Sequence, residues 1–404
     1  MVGWTVHHGD CREVLKTLAD SSIDAVVTDP PYHLTSNKAG GSGAKSLNTS
    51  SPAGRARIGT GFMGKAWDGG DIAHDPELWA EVLRVAKPGA HLLAFGGTRT
   101  YHRLACAIED AGWEVRDCIA WLYGSGFPKS LNLEGQWGGW GTALKPAMEP
   151  IVVARKPLIG TVAENMQEHG VGALNIDGCR ISTCESLQGS TVRNDIRGGR
   201  YASGHKANQG DIGEYQQSPN GRWPANVIHD GSAEVVDHFP LTSSGKMRPT
   251  HTTAGRTVFG QNTDGGYTTM ETYGDSGSAA RFFYVPKADR EDRDDGLHGT
   301  AKEVALIGAA GHKINPMTGR PVVDIPRCNS HPTVKPTDLM RYLCRLVTPP
   351  GGIVLDPFMG SGSTGRGASI EGLGFIGIEQ DAGYCEIARK RIAAVGSLWT
   401  REQA

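Results

Sequence analysis

Ile23-Asp24-Ala25-Val26-Val27-Thr28-Asp29-Pro30-Pro31-Tyr32 joins a short, β-branched apolar run to two consecutive prolines. The run reads as a buried strand, because it is brief, apolar and stopped by residues that cannot continue a ladder. In open α/β sheets ligands bind outside the carboxyl ends of the strands. Asp29, Pro30, Pro31 and Tyr32 are therefore candidate catalytic residues: a carboxylate, a rigid carbonyl and a flat ring on one stiff turn. Proline fixes φ and has no N–H, so the Pro30 carbonyl can be held outward as an acceptor. Two acceptors beside a ring suit a planar group bearing an –NH2, such as adenine or cytosine. That nitrogen is a poor nucleophile, since its lone pair is delocalised into the ring. Accepting both its hydrogens from set positions localises the lone pair and aims it.

Outward from this turn the pattern is α/β. Upstream, Thr5 to His8 is a strand candidate, followed by Gly9-Asp10 and a helical spacing from Cys11 to Leu18. Asp10 has two open readings, a cap for that helix or an acceptor for a bound purine amine. Downstream, residues 33 to 66 are rich in Gly, Ser and Asn. They carry Lys38, Lys45, Arg55, Arg57 and Lys65 with no acid until Asp68, and read as a long loop, either suited to phosphate contact or a plain flexible insertion. Alternation then resumes: a helix over Pro76 to Val85, a strand over Ala90 to Phe95 and a helix over Arg99 to Ala111. Strands over Trp113 to Tyr123 and Glu149 to Ala154 follow. Such alternation predicts a mostly parallel sheet. Trp137-Gly138-Gly139-Trp140 is a loop whose rings either pack on the core or touch a base; core packing is the favoured expectation.

From 157 to 330 the pattern dissolves into polar, Gly-rich sequence with basic patches, Arg193, Arg197, Arg200 and Lys206 in one and Lys246, Arg248 and Arg256 in another. Short apolar islands remain at Ala225 to Ile228 and Phe282 to Val285. The chain has 404 residues, enough for one large domain or two, and its formal net charge of -2 gives no global sign of a nucleic-acid partner. Eight cysteines without CxxC pairs read as reduced thiols in a cytoplasmic protein, with no metal site. No apolar run approaches a membrane span and no signal peptide is read.

Order returns at His331-Pro332-Thr333-Val334-Lys335-Pro336, a helix pattern to Val347, and the strand Ile353-Val354-Leu355. That strand opens into Asp356-Pro357-Phe358-Met359-Gly360-Ser361-Gly362-Ser363-Thr364-Gly365. Gly360, Gly362 and Gly365 match GxGxxG between a strand and a helix, where backbone approaches a ligand closely. Glu379 ends the next strand, 14 residues after Gly365, where a carboxylate can take both hydroxyls of a ribose. These features alone do not separate a nicotinamide cofactor from S-adenosylmethionine. Asp356 favours the latter, since a carboxylate before the loop suits an ammonium-bearing ligand and repels a pyrophosphate.

Asp-Pro-Pro-Tyr near the amino end, His331 to Pro336, and Asp-Pro-Phe-Met-Gly-Ser-Gly-Ser-Thr near the carboxyl end, in that order, resemble the β-group DNA amino-methyltransferases. The resemblance covers roughly 1 to 156 and 331 to 396. It implies a circularly permuted class I, Rossmann-like methyltransferase fold, α/β with a long inserted region. Residues 157 to 330 stand where the family keeps its target-recognition region, and 397 to 404 form a tail. It also implies that Asp29, Pro30, Pro31 and Tyr32 hold a flipped base. Asp356, Phe358, Gly360, Ser361 and Gly362 would line the methionine side of S-adenosylmethionine, Glu379 its ribose and Asp10 with Cys11 its adenine; Thr333 and Lys335 lie in the family's segment ahead of the cofactor loop.

The expected partner is double-stranded DNA, in a bacterial or phage-encoded protein, with no metal and a homodimer left open. Asp rather than Ser at the head of the turn tilts the expectation to adenine N6, with cytosine N4 as the alternative. No Pro-Cys pair occurs, which disfavours the cytosine carbon-5 route. A nicotinamide-dependent oxidoreductase leaves the Asp29 turn unexplained. A binding protein without turnover would not need both motifs intact.

Overall fold

Apolar runs from the two ends of the chain interleave in one sheet. The computed structural model describes residues 3–33, 71–126, 130–182, 221–244, 275–286, 292–297, 326–331 and 333–402, and two-residue strands at 191–192, 214–215, 252–253, 267–268 and 303–304. The basic loop from Lys38 to Lys65 lies outside the described residues, as do the patches at Arg193 to Lys206 and Lys246 to Arg256.

The main sheet has eight strands: β1 (Trp4–His8), β2 (Ile23–Thr28), β3 (Ala86–Phe95), β4 (Glu114–Leu122), β5 (Met148–Arg155), β6 (Val227–His229), β7 (Ile353–Asp356) and β8 (Gly374–Glu379). Their spatial order is β1-β8-β7-β2-β3-β5-β4-β6. All neighbours are parallel except around β5, which runs antiparallel to both β3 and β4. Among the described residues the helices of five or more residues are α1 (Cys11–Leu15), α2 (Pro76–Val85), α3 (Tyr101–Asp110), α4 (Val162–His169), α5 (Thr337–Val347), α6 (Ser363–Ile370) and α7 (Ala382–Glu402). The α/β class and the permuted class I order are as expected, with β7 from the carboxyl end inserted between β8 and the amino-terminal β2.

Local chemistry accounts for the element boundaries. Asp75 accepts the Glu77 N–H at 3.0 Å and Pro76 opens α2, so the helix starts with one cap and one residue that needs no donor. Leu78, Trp79, Val82 and Val85 then fall on one buried stripe. β2 is buried at all six positions, as a central parallel strand must be.

Two compact units are found. The first comprises 1–178, 226–232 and 285–404; the second comprises 179–225 and 233–284. The first unit is thus larger than residues 1 to 156 and 331 to 396. Helix α4 is held by Asn165, fully buried, which donates to Pro88 O at 2.9 Å and Val171 O at 2.7 Å and accepts from Ile159 N at 2.9 Å. β6 joins the sheet edge beside β4. Asp292, Arg293, Asp294 and Asp295 bond to Thr337, His331, Asn329 and Arg366 of the carboxyl-terminal half. In the second unit Leu241–Ser244 pairs with Asp275–Ser278, and Ala279–Phe282 forms a 3-10 turn that runs into the apolar island at Phe282.

Asn165→Ala removes the partner of one buried backbone group, Val171 O, and of two partly exposed ones, Pro88 O and Ile159 N. At about 1–3 kcal/mol for a buried unsatisfied group, the variant is expected to lose about 1–3 kcal/mol of unfolding free energy. Denaturant titration checks this.

Candidate active site

β2 and β7 lie side by side, so the Asp29 turn and the Asp356 loop leave the sheet together. Their contact is direct: the Thr28 hydroxyl donates to Asp356 Oδ1 at 2.7 Å, across 328 residues of sequence. Both turns line one cavity of about 2100 Å³. Single ligand pockets run about 300–1,000 Å³, so this one has room for two ligands at once.

On the Asp29 side four polar groups close on one another. Lys335 Nζ donates to Asp29 Oδ2 at 2.7 Å and to the Tyr32 hydroxyl at 3.1 Å, and stands 3.1 Å from Glu149 Oε2. The Tyr32 hydroxyl lies 2.9 Å from Asp29 Oδ1 and 3.0 Å from Glu149 Oε2. One hydroxyl proton cannot serve two carboxylates, so Tyr32 donates to one at a time while accepting from Lys335. Burial pushes the Asp29 carboxyl above its ordinary range, with Lys335 opposing and Glu149 adding to the rise. Burial works to lower Lys335, but Asp29 and Glu149 more than offset it and hold the ammonium above its usual range. The Tyr32 phenol is raised by burial and by both carboxylates, so it stays protonated.

The turn is braced from two further directions. Thr100 Oγ1 donates to Tyr32 O at 2.7 Å, and a side chain at Gly97 would press on the Tyr32 ring. His33 follows at φ 51, a left-handed conformation unusual outside glycine, with its Nε2 accepting from Ala73 N at 3.1 Å.

Across the cavity, Asp356 is almost fully buried. Its Oδ2 accepts from Thr364 Oγ1 at 2.6 Å and its Oδ1 from Phe358 N at 3.0 Å. Burial pushes its carboxyl up to about 6, with the Thr364, Thr28 and Phe358 donors opposing. Glu379, at the end of β8, accepts from Gly360 N at 2.9 Å and Asp381 N at 2.8 Å, leaving lone pairs on both oxygens. Gly360 has φ 53, and a Cβ there would stand 2.8 Å from His331 Nε2. The loop is also held from behind. Arg391, fully buried, donates to Ser361 O at 2.8 Å, and Asn329 Nδ2 donates to Ser361 Oγ at 3.2 Å.

Twelve of the fourteen candidate residues line the cavity: Asp29 to Tyr32, Cys11, Thr333, Lys335, Asp356, Phe358, Gly360, Ser361 and Glu379. Gly362 does not; at φ 81 it starts α6, and a Cβ there would meet Ala388. Asp10 does not either. Its carboxylate caps α1 through Arg12 N at 2.9 Å and grips the Arg12 guanidinium, at 3.1 Å from Nε and 2.6 Å from Nη2. The cap is thus present in the structure. Lys335, expected on the cofactor side, sits against Asp29 instead, because a buried ammonium requires anionic neighbours.

Glu149 was missed by the sequence reading; its only signal is an acid at the head of an otherwise apolar strand. Nothing in the sequence marked Asn329 or Arg391. Among the described residues no group of acids, cysteines and histidines could hold a metal ion, and no helix is long and apolar enough to cross a membrane.

A family model described as DNA methylase matches residues 23–390. The chain is 27% identical over 203 residues to the type II methyltransferase M.HindIII of Haemophilus influenzae, covering 42% of this chain and 64% of that protein. It is 47% identical over 64 residues to the type II methyltransferase M2.DpnII of Streptococcus pneumoniae, covering 16% of this chain and 24% of that one. It therefore spans less than two thirds of either relative. Among solved structures, the cytosine-N4-specific PvuII DNA methyltransferase aligns with a TM-score of 0.42 at 13% identity, over 99% of this chain and 92% of that one.

Proposed function

Since the chain belongs to the N6/N4 DNA methylase family, we propose that it moves a methyl group from S-adenosylmethionine to the exocyclic amino nitrogen of adenine in duplex DNA, after the target nucleotide is extruded. The observation that carries this reading is the Thr28–Asp356 hydrogen bond, because it joins the amine-accepting turn to the cofactor loop at one cavity. S-adenosylmethionine supplies an electrophilic methyl on a sulfonium. The donor set fits it: the Asp356 carboxylate suits its cationic part, Glu379 a pair of hydroxyls, and the Gly360 turn, where a side chain would strike His331, sits at the cavity wall between them.

Asp29 and the Pro30 carbonyl accept the two amine hydrogens, so the nitrogen lone pair is freed and aimed. Extrusion costs a few kcal/mol, and the Tyr32 ring offsets part of that by stacking, worth about 1–3 kcal/mol per base. Its hydroxyl contacts set the plane of the ring before the base arrives. Forming the new N–C bond obliges the nitrogen to shed a proton, and Asp29 is the nearest base. Lys335 serves this step by favouring the Asp29 carboxylate against the rise that burial causes.

Asp29, where a serine would leave a weaker acceptor, favours adenine over cytosine. Long-read sequencing of DNA from cells expressing the protein tests the substrate and its sequence context together. N6-methyladenine at a fixed motif is expected; N4-methylcytosine alone would transfer the reading to cytosine.

Cofactor affinity is expected to follow Asp356. Its folded pKa lies at about 6, so the carboxylate is protonated below that and ionised above it. Binding of a cationic ligand should therefore strengthen as pH rises through about 6, and Asp356→Asn should flatten the dependence. Calorimetry with S-adenosylmethionine from pH 5 to 8 reads both.

A further inference from the structure

Trp137 and Trp140 do not pack on the core; they are 53% and 64% exposed. They stand at the tip of a loop running from Ser130 to Met148, whose two arms are tied to each other by hydrogen bonds near the tip. Leu133 N donates to Trp140 O at 2.9 Å, Asn132 bridges Gly141, and Leu131 N donates to Thr142 Oγ1 at 2.9 Å. The segment is thus a built element that presents apolar groups outward. Leu131 is 67% exposed and Leu144 92%. Its nineteen residues contain only two charges, Glu134 and Lys145, so solvation does not explain the exposure.

The return segment says what covers it. Residues 142–149 line the cavity throughout and end at Glu149, which contacts Tyr32 and Lys335. The cavity lining begins at Thr142, two residues after Trp140, so the tryptophan tip adjoins in sequence the wall of the pocket that would receive the extruded base. We infer that the Trp137–Trp140 hairpin is the wedge that enters duplex DNA at the target step and stacks in the gap the nucleotide leaves. The two rings lie 6.0 Å apart at 88°. Only one can lie parallel to the base pairs, and the other stands edge-on behind it as a brace. Apolar and aromatic wedges between base steps are an established means of holding an unstacked duplex open.

The inference rests on the DNA-methylating reading, and the test separates the two. Full-length wild type, W137A/W140A and W137F/W140F are assayed for S-adenosylmethionine binding by calorimetry and for labelled methyl transfer to duplex DNA from a methylation-free host. The alanine pair is expected to bind S-adenosylmethionine as wild type does, while the DNA concentration for half-maximal transfer rises about ten- to a hundredfold. The phenylalanine pair should recover most of that loss, because a ring is retained. An alanine pair with unchanged DNA dependence would overturn the wedge. So would a wild-type dimer that the alanine pair splits without touching DNA dependence, which would assign the hairpin to a second copy.

Wild type that transfers no label to DNA would remove the underlying reading and the wedge together. Irradiating wild type on bromodeoxyuridine-substituted duplex adds a readout that needs no variant. Adducts on the Trp137–Trp140 peptide are expected, and adducts confined to other peptides would contradict the assignment.

Discussion

Replacing Asp29 by alanine should lower methyl transfer to DNA by about a hundred- to a thousandfold, the usual loss when one preorganised hydrogen-bonding group is removed from a reacting centre. S-adenosylmethionine affinity should stay nearly unchanged, since Asp29 belongs to the β2 turn and the cofactor loop is held by Glu379, Asn329 and Arg391. The fall should appear in kcat rather than in the DNA concentration for half-maximal rate, because base extrusion precedes the step Asp29 serves. Asp29→Asn separates charge from shape. It keeps one acceptor oxygen but turns an N–H2 toward Lys335 or Tyr32, and an intermediate rate is expected. Single-turnover transfer with all three proteins gives the comparison. An alanine variant with wild-type turnover would remove Asp29 from the chemistry.

Lys335→Met should have the second largest effect, on stability and activity together. The ammonium is buried between Asp29 and Glu149, 2.7 and 3.1 Å away. Removing one partner of a buried ion pair typically costs about 3–5 kcal/mol, because it strands the other charge. Here two carboxylates are stranded beside each other.

The pH dependence has a definite sign. Asp29 already titrates above its unfolded value through burial, so the folded state holds its proton longer and stability falls as pH climbs through that interval. Without Lys335 the interval widens upward. The variant should thus be weakest at neutral and alkaline pH and recover on acidification. Its kcat should also show an acid limb at higher pH than wild type. In wild type, Lys335 itself titrates above its unfolded value, so its stabilisation is present in full at neutral pH and is lost only on strong alkalinisation. Thermal unfolding and kcat measured across pH check both statements. An acid limb that does not move would mean that Lys335 does not govern Asp29.

How much of this was legible before the structure varies by region for physical reasons. α2 was readable end to end, since Pro76 and the stripe Leu78, Trp79, Val82 and Val85 signal within ten consecutive residues. The β7 loop and β8 were equally plain, because strand, glycine loop, helix and terminal acid follow in order. The reversed direction of β5 was not, as an apolar run carries no sign of its orientation. β3 begins at Ala86, ahead of the expected Ala90. Pro88 and the positive-φ Gly89 looked like a stop but form part of an irregular strand start that Asn165 holds. At the site, Asp29, Asp356 and Glu379 announced themselves through neighbouring prolines and glycines. Lys335 meets Asp29 across 306 residues, and Glu149 meets Tyr32 across 117, separations at which no local pattern speaks. The tryptophan hairpin went the other way: large rings ordinarily seek the core, and only the three-dimensional position of 130–148 shows that they face outward.

The central claim is that the cavity shared by Asp29 and Asp356 joins a sulfonium methyl to a nucleobase amine. It is tested most directly by incubating the purified protein with methyl-labelled S-adenosylmethionine and unmethylated duplex DNA, digesting the DNA to nucleosides and weighing them. Label on the exocyclic nitrogen of adenine, absent when Asp29→Ala replaces wild type, is the expected result. Unlabelled nucleosides, or label that persists in the Asp29→Ala reaction, would contradict it.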